Sequence, residues 1–75
     1  MSCNLRQQTI NALRADAEGT IQKARVNVEV SLHNSVGIGE HPDVLAAIQN
    51  QLDVIAESEE RLQTLDKYFS ESHDH

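Results

Sequence analysis

The 75-residue chain holds one cysteine, Cys3, no tryptophan and only two aromatic residues, Tyr68 and Phe69. A lone cysteine excludes an internal disulfide, and a core short of aromatic bulk must be built from Leu, Ile, Val and Ala, which suits close helix packing. No apolar run approaches the roughly 18 residues that a membrane-spanning helix requires. The polar opening Met1 to Ile10 carries no signal-peptide pattern. Cationic charge is scarce as well. Six Lys and Arg against twelve Asp and Glu leave a net charge of -6, which argues against nucleic acid or an anionic membrane as the partner. These absences predict a cytoplasmic protein, and an unpaired thiol agrees with a reducing compartment. A chain of this length makes one domain, residues 1–75, and buries only about 60% of the surface its unfolded form exposes. Without disulfides, a metal or self-association is left to supply the missing stability.

What the chain does have is two long apolar stripes on either side of a short loop. In the first arm Ile10, Leu13, Ala17, Ile21, Ala24, Val28 and Leu32 step by three or four residues, which keeps them on one side of a helix. Asn4 followed by Gln7 fits a capping box at its start, with Ser2 as the alternative cap. Ala12, Ala15, Ala17 and Gly19 would let another helix approach closely, although Gly19 also reads as a tolerated surface glycine or a bend. Val26, Val28, Val30 and Leu32 alternate with polar residues, the period-two pattern of a strand. Helix is preferred there, because no turn residue separates the stretch from Ile21 to Arg25 and a lone strand has nothing in this chain to pair with.

Gly37 and Gly39 provide backbone freedom for a reversal, Val36 and Ile38 are expected to cap the end of the hairpin, and Pro42 suits the first position of a second helix. Leu45, Ile48, Leu52, Ile55, Leu62 and Phe69 form the second stripe, with Leu65 beside it, Val44 and Val54 widening it, and Glu59 and Asp66 interrupting it. The expectation is an all-α antiparallel hairpin: a helix over about 4–34, a loop at 35–41, a helix over about 42–70 and a frayed tail at 71–75. Two such hairpins, back to back, would form a four-helix bundle. The residues expected at the contact between copies are Ile10, Leu13, Ala17, Ile21 and Val28 on the first arm. On the second they are Leu45, Ile48, Leu52, Ile55, Leu62, Leu65 and Phe69.

Charge divides unevenly between the arms. Residues 1–34 carry four bases against three acids, a balance of +1, and residues 35–75 carry two bases against nine acids, a balance of -7. Glu57 and Arg61 form an i,i+4 pair on a solvated face, whereas Glu59 and Asp66 either point outward or pair with Arg14 or Arg25 across an interface.

Chemistry candidates are few. His33, Glu40, His41 and Asp43 gather around the loop, and imidazole with carboxylate could hold a zinc-like ion there, but the spacing matches no diagnostic motif. His73 and His75 lie in the tail, and Cys3 has no base or cationic neighbour to activate it. Gly37-Ile38-Gly39 lacks the preceding strand, third glycine and lysine of a phosphate loop. Nothing points to a cofactor or to catalysis.

The opening Asn4-Leu5-Arg6-Gln7, the segment Val36-Gly37-Ile38-Gly39-Glu40-His41-Pro42-Asp43-Val44 and the ending Leu65-Asp66-Lys67-Tyr68-Phe69 resemble short reading frames of contractile-tailed bacteriophages of marine bacteria, including cyanobacteria. The resemblance implies a small phage protein in a bacterial cytoplasm, acting on a host protein or in virion assembly. It brings no functional residues with it. Residues and resemblance together predict a self-associating interaction or assembly module. The alternatives are a ligand- or metal-binding bundle and an acidic mimic of nucleic acid that blocks a host protein.

Overall fold

The computed structural model describes residues 5–38 and 42–69, and both segments are helical: α1 runs Leu5–Ile38 and α2 runs Pro42–Phe69. At 1.5 Å per residue these helices are about 51 and 42 Å long, so the molecule is a rod, with extents of 58 × 21 × 15 Å. Contacts across the pair fix an antiparallel arrangement. Arg14 Nη2 lies 2.7 Å from Asp66 Oδ1, and Asn27 Nδ2 donates to Gln51 Oε1 at 3.3 Å, so positions near the start of α1 meet positions near the end of α2. The antiparallel all-α hairpin is therefore as the sequence predicts.

The seam follows a strict three-four repeat. On α1 it runs through Gln7, Ile10, Arg14, Ala17, Ile21, Ala24, Val28 and Ser31, and on α2 through Val44, Ile48, Gln51, Ile55, Ser58, Leu62 and Leu65, every one buried or half-buried. This spacing keeps a facing strip aligned along two long helices that cross at a shallow angle. Among the described residues the most deeply buried are small or single: Ala24 at 2% exposure, Ser58 at 3%, Ala17 at 4% and Ile10 at 6%. Small side chains in mid-seam let the two backbones approach, so stability there comes from close contact rather than from large apolar groups.

Several expectations change in detail. α1 continues through residues 35–38, so Gly37 lies within the helix rather than in the reversal, and the helix outruns its expected end at 34. The connection narrows to 39–41, which lies outside the described residues together with Gly39, as do the side chains of Val36 and Ile38 expected to cap the hairpin. The period-two stretch Val26 to Leu32 is helical, and the intervening Asn27 reaches across to Gln51. Asn4 and Ser2 are outside the described residues, and Gln7 Nε2 donates to Asn11 Oδ1 at 3.0 Å. Gly19 is exposed, and a Cβ added there would meet nothing within 4 Å. Within the hairpin Gly19 is therefore a surface glycine that α2 does not approach.

Candidate interaction surface

Leucines adjoining the seam do not enter it. The register through Ile10, Ala17 and Ala24 passes over Arg14, which leaves Leu13 on the flank at 54% exposure. On the second helix it passes over Val44 and Gln51, leaving Leu45 at 66% and Leu52 at 50% exposed. Phe69, Tyr68, Leu5, Val26, Val30 and Leu32 are exposed too. Of the residues expected at a contact between copies, Ile10 and Ala17 are therefore taken up within the hairpin, and Ile21, Val28, Ile48, Ile55, Leu62 and Leu65 are half-covered by it. Leu13, Leu45, Leu52 and Phe69 remain available to another surface.

Two groups of the exposed apolar side chains lie on the flanks of the seam, while Val26 and Val30 lie on α1 alone. In an antiparallel pair the residues immediately after one set of seam positions share a side, which places Leu32, Leu45 and Leu52 together near the loop. The opposite flank bears an open groove of about 530 Å³ near the free end of the hairpin. Its apolar walls are Leu13 and Ala17 of α1 and Leu62, Leu65 and Phe69 of α2, and its polar rim is Asp16, Glu57, Glu60, Arg61 and Thr64. Tyr68 adjoins Phe69 with ring centroids 6.2 Å apart, and Lys67 Nζ sits 5.3 Å from the Tyr68 centroid. A wide, apolar, charge-rimmed trough on paired helices suits the face of another helix.

Electrostatics fix the groove end of the rod. Arg14 occupies a seam position and reaches Asp66, raising the guanidinium's pKa and holding the Asp66 carboxyl below its usual value through a charged hydrogen bond and the attraction of opposite charges. Arg6 Nη2 donates to the Phe69 carbonyl at 3.5 Å, a second tie at the same end. The Glu57–Arg61 pair is looser, 3.6 Å apart with both side chains about two-thirds exposed, 69% and 66%. Pairs of that kind contribute little to stability.

The other site readings fare differently. His33 and Asp43 are exposed residues of α1 and α2, while Glu40, His41, Cys3, His73 and His75 lie outside the described residues. Among the described residues no three His, Cys, Asp or Glu side chains come together as metal ligands. His33 instead borders a shallow recess of about 270 Å³ on α1 alone, with Gln22, Arg25, Val26, Glu29 and Val30. Of the acids of α2, Glu57 and Glu60 rim the groove and Asp66 pairs with Arg14. Among the described residues no helix is long and apolar enough to cross a membrane. What sequence reading missed are the polar seam positions Gln7, Arg14, Ser31, Gln51 and Ser58, whose signal is their three-four spacing rather than their hydropathy. Comparison with family models, curated proteins and solved structures gives no match to this chain.

Proposed function

We propose that this protein acts through contact rather than catalysis: a helical hairpin that self-associates, toward a four-helix bundle, and serves as an interaction or assembly module. The observation that carries the reading is the imbalance between covered and uncovered apolar groups. Ile10, Ala17 and Ala24 are buried, whereas nine large apolar side chains, from Leu5 to Phe69, are at least 49% exposed. Isolated exposed leucines are ordinary, but a concentration of them along both flanks of a small rod marks an interaction surface. In the setting that the resemblance to phage reading frames implies, the module works in a bacterial cytoplasm, on copies of itself or on a host or phage protein.

Sedimentation velocity or light scattering on the purified chain tests the proposal. A dimer or larger species at micromolar concentration is expected, and a well-folded monomer throughout that range would overturn it.

A further inference from the structure

We infer that the groove near the free end of the hairpin docks an amphipathic helix of another protein, one whose apolar stripe is flanked on both sides by Lys or Arg. The inference rests on the interaction-module reading, not on self-association, and names the chemistry of the partner. Shape supplies the first half of the argument. The trough lies between α1 and α2, with Leu13 and Phe69 about half exposed, at 54% and 50%, beside the half-buried Leu62 and Leu65. An apolar row of this kind between two helices fits the side chains that a third helix presents at i, i+3, i+4 and i+7.

Charge supplies the second half. The lining holds three acids, Asp16, Glu57 and Glu60, against one base, Arg61. Arg61 and Glu57 lie 3.6 Å apart and offset each other. That leaves Asp16 on the α1 wall and Glu60 on the α2 wall, both exposed and neither in an ion pair among the described residues. The other bases of this end are engaged elsewhere: Arg14 with Asp66, Arg6 with the Phe69 carbonyl and Lys67 with the Tyr68 ring. One uncompensated carboxylate therefore stands on each wall of the apolar trough, and its complement is an apolar stripe with a cation on either side. The net charge of -6 draws such a partner in from a distance. A second copy would instead set the groove's excess of acid against itself.

The probe is a fluorescein-labelled synthetic helix of roughly 18 residues, about 27 Å long, with Leu at i, i+3, i+4 and i+7 and Lys on both sides of that stripe. Titrated with the full chain and followed by fluorescence anisotropy, it should bind saturably, one to one, and more weakly as salt rises. A scrambled peptide of the same composition, charged but not amphipathic, and a version with Glu for every Lys should each bind about tenfold more weakly or worse. The chain carrying both Asp16→Lys and Glu60→Lys should lose about tenfold in affinity, as should Leu13→Ser, with helix content by circular dichroism unchanged. Leu45→Ser, on the other flank, should bind as the parent does. No saturation below about 1 mM, equal binding of the scrambled or Glu peptide, groove variants that bind like the parent, or a loss on Leu45→Ser would each overturn the inference. Sedimentation keeps the two readings apart. A monomeric parent that binds the Lys peptide overturns self-association alone, and a dimeric parent that does not bind it overturns the docked helix alone.

Discussion

Asp66 is the residue whose charge state should be felt in the fold. Its carboxyl is held below the ordinary aspartate pKa by Arg14, so the folded state binds its proton less readily than the unfolded chain does. The stabilisation this gives is complete above the unfolded value, about 3.9, and is lost as pH falls through the lower folded value. In the Asp66→Asn variant, the loss of melting temperature between neutral and strongly acid pH should shrink relative to the parent. Equal acid sensitivity in the two proteins would remove the role assigned to the pair. High salt should narrow the difference at neutral pH, because the pair is only partly covered, with Arg14 33% and Asp66 54% exposed. Gly19 offers a second test at this scale. It is helical and exposed, with open space where a Cβ would go, so Gly19→Ala should stabilise by about 1 kcal/mol. For a domain of this size that is a rise in melting temperature of about 4–8 °C. A fall on substitution would mean that the glycine is covered by another chain.

At the scale of the helices, the small side chains set the spacing. Ala24, at 2% exposure, and Ala17, at 4%, lie one heptad apart on α1, and the register continued from Arg14–Asp66 and Asn27–Gln51 brings Ser58 level with them. Ala24→Leu should therefore cost about 1–3 kcal/mol by forcing the backbones apart, a loss measurable by urea titration. Little or no loss would show that the seam tolerates a wider spacing. The hairpin itself was legible from spacing alone, in apolar steps of three and four on two arms and Pro42 at the start of α2, but the glycines set the reversal too early, because α1 runs on through Gly37. Which leucines face inward was not. A hydropathy reading puts Leu13, Leu45 and Leu52 in the stripe, but the register needs the neighbours Arg14, Val44 and Gln51. One residue along a helix turns a side chain by about 100°, so apolar identity cannot choose between adjacent positions when both turns are partly wet. The ion pair that helps select the register depends on two residues 52 apart in sequence, and single-chain spacing does not connect them.

For the whole molecule, the decisive quantity is how little a lone hairpin encloses. A 75-residue chain packed as an ordinary globule would have a radius of gyration of about 11 Å, and this one has 17.1 Å. Its helices meet along one line, so each offers one face to its neighbour and leaves the rest to solvent. Helical propensity alone does not secure such a structure, since most helix stability in proteins comes from packing an amphipathic face. Any chain that covers a flank of the folded hairpin, and not of the unfolded one, will therefore shift folding by mass action. If the cover is a second copy, the melting temperature must depend on protein concentration, because unfolding then releases two chains from one particle. Thermal unfolding followed by circular dichroism across a hundredfold dilution series, chosen to span about a factor of 100 in monomer concentration, should show the midpoint rising with concentration. A midpoint that does not move would assign the stability to the single hairpin, and the exposed leucines would then need an occupant of another kind.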